Sequence, residues 1–74
     1  NLEDLVIYAA NKKLHLITGN ESGNLVIYNL LGEQLIATQV IGNTNFAIND
    51  LSKGIYLVSF TSGINTITKK VYIE

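Results

Sequence analysis

The sequence predicts an all-β fold, a small antiparallel β-sandwich of about seven short strands. Three observations carry this. Turn-forming residues recur at short, fairly regular intervals: Asn11-Lys12-Lys13, Gly19-Asn20-Glu21-Ser22-Gly23, Gly32-Glu33, Gly42-Asn43, Asn49-Asp50 through Gly54, and Ser62-Gly63. The runs between them are rich in Val, Ile, Thr, Tyr and Phe, which suit a pleated, half-buried surface. No window of about 11 residues repeats its apolar positions at a 3.6-residue period, so no helix is expected.

The strands follow in order. Leu5 to Ala10 comes first, then Lys13 to Thr18, where Leu14 and Leu16 share a face opposite His15 and Ile17. Asn24 to Leu31 is apolar on both faces from Leu25 to Tyr28, which suits a central strand or one with a covered outer face. Gln34 to Ile41 and Asn45 to Asn49 follow, the latter with Phe46 and Ile48 on one face. Ile55 to Thr61 places Tyr56, Val58 and Phe60 together, and Thr66 to Ile73 places Ile67, Val71 and Ile73 opposite Lys70 and Tyr72. Gly32-Glu33 and Ser62-Gly63 read as two-residue hairpins with Gly supplying the positive φ. Consecutive hairpins suggest a meander or Greek key. Packing two sheets of three or four strands, an Ig-like sandwich, is the simplest way to cover these apolar faces. Residues 1–4 are polar enough to end a linker, and residues 5–74 form the domain.

Composition narrows the function. A chain of 74 residues has room for one domain. A domain of that size hides only about 60% of its unfolded surface, so its stability is modest. The hydrophobic fraction of 47% with only 15% charged residues argues against disorder. The five basic residues are all lysines, offset by six acidic ones. A nucleic-acid partner is not expected, because reading phosphates and bases needs a net basic face and arginine forks. Without Cys there is neither a disulfide nor a thiolate metal site. No apolar run approaches the ~18 residues of a membrane helix. The chain contains no Met, so it reads as a piece of a larger protein, and its end on a strand residue suggests that Glu74 is a natural C-terminus.

The side chains offer little chemistry. His15 reads as the outward residue of a strand, and no second His or Cys exists to share a zinc ion. Glu3 and Asp4 are adjacent and terminal; Glu21, Glu33 and Asp50 lie in or beside turns, and Glu74 ends the chain. A hydrolase would need two of these held across a cleft. Asn20-Glu21-Ser22 matches the glycosylation sequon, a pattern that recurs by chance. Asn49-Asp50 with Ser52 is too sparse for a calcium loop. The expectation is a non-enzyme with no cofactor and no metal. Lys69-Lys70 reads as solvent-exposed charge that protects an edge strand from unwanted pairing.

Four pieces in order carry a resemblance. Leu5 through Leu16 forms an opening extended segment and short apolar strand. Ile27, Tyr28, Asn29, Gly32 and Leu35 match an Ile-Tyr-Asn-x-x-Gly-x-x-Leu/Val strand-turn-strand. Leu51, Gly54 and Tyr56 match Leu-x-x-Gly-x-Tyr. Gly63 with Lys69 or Lys70, Val71 and Ile73 matches a closing glycine turn and lysine-bearing strand. The chain thus resembles the type A C-terminal sorting domain of Bacteroidetes proteins exported by the type IX (Por) secretion system. Many members carry Tyr-Pro-Asn-Pro in the first piece, where this chain has Ala9 and Ala10 after Tyr8.

The resemblance implies a signal domain that directs an N-terminally fused cargo through the periplasm and across the outer membrane. The cargo becomes secreted or stays at the cell surface. The implied partners are the type IX machinery and a surface sortase-type peptidase that cuts upstream of the domain. It makes Lys69, Lys70, Val71, Ile73 and Glu74 the candidates for recognition by the translocon. Ile27, Tyr28, Asn29, Gly32, Leu51, Gly54, Tyr56 and Gly63 become motif residues with structural roles. An exposed edge in so small a domain would also allow a weak homodimer by strand pairing. The alternative is an Ig-like accessory module binding carbohydrate or a protein partner. Sugar platforms favour Trp and grouped Tyr, and here Trp is absent and Tyr8, Tyr28, Tyr56 and Tyr72 are dispersed. A stalk-like spacer, a third reading, would be expected at an internal position in a longer protein.

Overall fold

The computed structural model describes residues 5–74 and places seven strands in two antiparallel sheets, with no helix among those residues. Residues 1–4, where the linker was expected, lie outside the described residues. The strands are β1 (Val6–Ala10), β2 (Lys13–Ile17), β3 (Ser22–Tyr28), β4 (Gln34–Ile41), β5 (Thr44–Ala47), β6 (Gly54–Ser62) and β7 (Asn65–Ile73). The smaller sheet has the order β1-β2-β5 and the larger β4-β3-β6-β7. The doubly apolar β3 is central, as its sequence predicts, and β4 and β7 are the edges of its sheet.

Period-two alternation builds the core between the sheets. Leu14 and Leu16 of β2 face Leu25 and Ile27 of β3 and Val58 and Phe60 of β6, all fully buried. Leu5, Val40, Ile48, Tyr56, Val71 and Ile73 complete it. On one flank β1 lies against β7 and closes the sandwich. On the other, β4 and β5 stand apart. Between them runs an open groove of about 350 Å³, lined by Ile36, Val40 and Phe46 with Thr38, Gln39, Thr44 and Ala47.

The turns show how sequence sets the register. Asn11 and Lys12 take φ of 54° and 60° and join Ala10 to Lys13, the double positive φ of a type I′ hairpin. Ile48 N donates to Lys12 O at 3.0 Å, one step beyond the Lys13–Ala47 pair, and ties that turn to the residue after β5. The β6–β7 hairpin pairs Ser62 with Asn65, so its two loop residues are Gly63 and Ile64, one position later than the sequence reading. Gly63, at φ 63°, fills the first central position, as a type II′ turn requires.

The β3–β4 connection departs further from expectation. It is a five-residue loop, Asn29 to Glu33, in place of a two-residue turn at Gly32-Glu33, and β3 ends at Tyr28 instead of Leu31. Asn29 is the cause. Its Oδ1 accepts from Leu31 N and Glu33 N, both at 2.9 Å, and its Nδ2 donates to Glu33 Oε1 at 2.8 Å. An asparagine that bonds its own downstream backbone competes with the ladder and starts a turn. A register shift follows, so that Tyr28 pairs with Gln34 and Leu35 is the extra residue.

Candidate functional site: the terminal edge strand

The motif residues occupy three kinds of place. Ile27 is core. Asn29 organises the β3–β4 loop, and Gly32 stands in it at φ 87°. Leu51, Gly54 and Tyr56 form one device at the entry to β6. Leu51 packs half-buried against the core, Gly54 takes φ 155°, and the Tyr56 hydroxyl reaches back to donate to Ser52 O at 2.6 Å. This is the arrangement of the tyrosine corner in Ig-type sandwiches, where a core ring anchors the preceding loop through its polar tip. Tyr28 is half-buried on the outer face of the larger sheet.

The five recognition candidates divide by face. Val71 and Ile73 are core residues, 5% and 2% exposed, packed beneath β1. Lys69, Lys70 and Glu74 are exposed. The two lysines differ. Lys70 shares the outer face with Thr66, Thr68 and Tyr72. Lys69 falls on the same parity as Ile67 and Val71, so it leaves the strand on the core-facing side yet stays in solvent at the rim. A charge pointing inward on an edge strand is one of the devices that stop two edges from pairing.

Backbone polarity completes the edge. The pair flanking a two-residue hairpin is hydrogen-bonded, and antiparallel pairs alternate from there. Counting from Ser62–Asn65, the residues of β7 that bond β6 are Ile67, Lys69, Val71 and Ile73. Thr66, Thr68, Lys70 and Tyr72 therefore turn their N–H and C=O groups outward. Tyr72, half exposed on this row, was absent from the candidates read from sequence. Period two alone places it opposite Val71 and Ile73; what the sequence lacks is the topology that makes β7 an edge.

The other features weighed in the sequence stay apart from this edge. His15 is half-buried, stacked on Tyr8 at a centroid distance of 4.7 Å and an interplanar angle of 10° on the outer face of the smaller sheet. Among the described residues, no three His, Asp or Glu side chains gather as metal ligands. Asn20 is exposed in the β2–β3 loop. Asn43 Oδ1 holds that loop by accepting from Thr18 N and Gly19 N, both at 2.8 Å. A dimple of about 30 Å³ where Ile73 and Glu74 meet the β1–β2 turn has room for one water.

No curated protein matches the chain. One family model, described as the secretion system C-terminal sorting domain, matches residues 9–74. That span runs from Ala9, near the end of β1, through the whole of β7. It takes in the Asn29 loop, the tyrosine corner and the terminal edge. This family is one of sorting signals, not of enzymes, and it implies a Bacteroidetes source, an upstream cargo, and export by the type IX machinery to the cell surface or beyond. The chain belongs to the C-terminal sorting domains of type IX secretion.

Proposed function

We propose that the type IX machinery reads this domain by strand addition along β7. The observation that carries the reading is that β7 is an edge of the larger sheet, with alternate backbone groups open. An added strand gains main-chain hydrogen bonds there, and exposed side chains select it. Lys69, Lys70 and Tyr72 are those side chains, with Glu74 at the end of the row. The lysines set register and on-rate against an acidic partner more than they set affinity. Val71 and Ile73 act from the core by holding β7 in place. At the cell surface a sortase-type peptidase then cuts upstream, N-terminal to this chain or near Asn1. The domain is its substrate.

The test is a transplant. Residues 1–74 are fused to the C-terminus of a fluorescent protein bearing a signal peptide, in a type IX-competent Bacteroidetes host and in a translocon mutant. Reporter outside only the competent strain is the expected result. Mass spectrometry of the exported reporter locates the cut. The pair Lys69→Glu and Lys70→Glu should leave the fold intact and reduce export several-fold. Normal export of that folded variant would remove the lysines from the reading. Periplasmic retention of the folded parent in both strains would remove the reading itself.

A further inference from the structure

We infer that the opposite edge of the larger sheet, β4, is a self-pairing surface, and that its occupant is a second copy of this domain. The segment from Gln34 to Asn49, which contains all of β4 and β5, has no charged residue. β4 is eight residues long with no proline, and of its side chains only Val40 is buried. Ile41 is 79% exposed at its end. From Ile36 to Ile41 this long, neutral edge has neither charge nor proline to discourage pairing, its one bulge lying at the Leu35 end, whereas β7 in the same sheet carries two lysines.

The phase of the ladder fixes which atoms are offered. Gly42 N donates to Glu21 O at 3.0 Å, one step beyond the Ser22–Ile41 pair. Alternation from there bonds Val40 and Thr38 to β3 and turns the backbone groups of Ile41, Gln39 and Ala37 outward. Counting from the β6–β7 hairpin across the sheet gives the same phase. The three outward residues are self-complementary. An antiparallel two-fold centred on Gln39 sets Gln39 against its own copy and lays Ala37 opposite Ile41 of the second copy, small against large.

Charge selects this occupant. A two-fold contact presents each patch to itself, so a patch of one net sign faces the same sign across the contact. β4 avoids that repulsion and β7 does not. Nothing on β4 would attract a charged partner. The pairing joins two four-stranded sheets into one of eight, ordered β7-β6-β3-β4-β4-β3-β6-β7. It brings the two grooves lined by Ile36, Val40 and Phe46 toward each other and leaves both β7 edges at the outer ends, so it is independent of what β7 binds.

Sedimentation of the 74-residue chain at rising concentration tests it. A monomer–dimer equilibrium is expected, weakened at least tenfold by Gln39→Lys and unchanged by Thr68→Lys on the other edge. Thermal melts should show both variants folded. The parent lacks Cys, which allows a positional check. Hydrogen-bonded partners on antiparallel strands have Cα atoms about 5.5 Å apart, inside the disulfide range. Under a mild copper oxidant, Gln39→Cys should therefore cross-link as a dimer and Thr68→Cys should not. A chain that stays monomeric to millimolar concentration overturns the inference. So does a dimer that ignores Gln39→Lys, or one that cross-links through Thr68→Cys instead.

Discussion

The two edges of the larger sheet, β7 and β4, are built from the same backbone and guarded in opposite ways. β7 carries Lys69 on the core-facing side and Lys70 on the outer face, and β1 closes the sandwich behind it. β4 carries no charge and backs onto an open groove. A lysine-bearing edge repels its own copy and remains open to an acidic strand. A neutral edge does neither. Under the two proposals, contact with another protein falls to one edge and contact with the domain itself to the other. Val71 and Val40 are almost equally buried, at 5% and 3%, but β7 packs against β1 while Val40 borders the open groove.

The largest effect removes the scaffold under both edges. Phe60 is fully buried on β6, opposite Leu25 of β3 and Ile67 of β7. Phe60→Ala should cost about 3–5 kcal/mol. At roughly 0.05–0.15 kcal/mol per residue, that is a large share of what so small a domain has. Urea unfolding would measure it, and export and self-association should fall together. A loss below about 1 kcal/mol would mean that the two edges do not share this core.

Next comes the matched pair. Val→Ala removes two methyl groups, worth about 1.6 kcal/mol in transfer, plus a cavity term where the surroundings cannot relax. Val71→Ala, closed in by β1, should cost about 2–3 kcal/mol. Val40→Ala opens into the groove, and its cost should stay near 1–1.5 kcal/mol. Equal midpoint shifts in urea would erase the difference in packing between the flanks. Tyr56→Phe is smaller again. It removes the hydroxyl that donates to Ser52 O, for a loss of about 1 kcal/mol. It should also loosen the loop that leads into β6, visible as faster amide exchange at Ser52 to Gly54.

Much of this contrast was legible in the residues themselves. Alternation placed Tyr56, Val58 and Phe60 in the core and paired Ile67, Val71 and Ile73 correctly. Apolar residues on both faces marked β3 as central. The Lys69-Lys70 pair was readable as edge protection before any strand order was known. The β3–β4 turn was not readable from Gly32 alone, because the side chain of Asn29 recruits two downstream amides and lengthens the loop. Strand order was also hidden. Nothing in β4 or β7 states which strands lie beside them, since that depends on β2, β4 and β5 handing the chain between sheets. The neutral run from Gln34 to Asn49 was present in the sequence, but an absence of charge gains meaning only once β4 is known to be an edge. Burial of Val71 and Ile73 likewise follows from period two, and it is the topology that separates them in role from Lys69, Lys70 and Glu74.

The smallest change in stability should carry the sharpest information. Lys69→Thr with Lys70→Thr makes β7 as neutral as β4 without touching the core. Both positions are exposed, so unfolding free energy should move by less than about 0.5 kcal/mol. Association should change in kind. On the inference above, the larger sheet of the parent offers one neutral edge per copy and pairing there stops at a dimer. The neutralised variant offers two per copy, and a contact that repeats at both ends of a sheet does not close. Its mass in sedimentation should climb past the dimer as concentration rises. Gln39→Lys added to it should return a dimer joined through β7. A neutralised variant that remains a dimer would show that the lysines are not what keeps β7 from pairing with itself. The burden would then fall on the strand's twist against β1, and the assignment of self-contact to β4 would have to rest on Gln39→Cys alone.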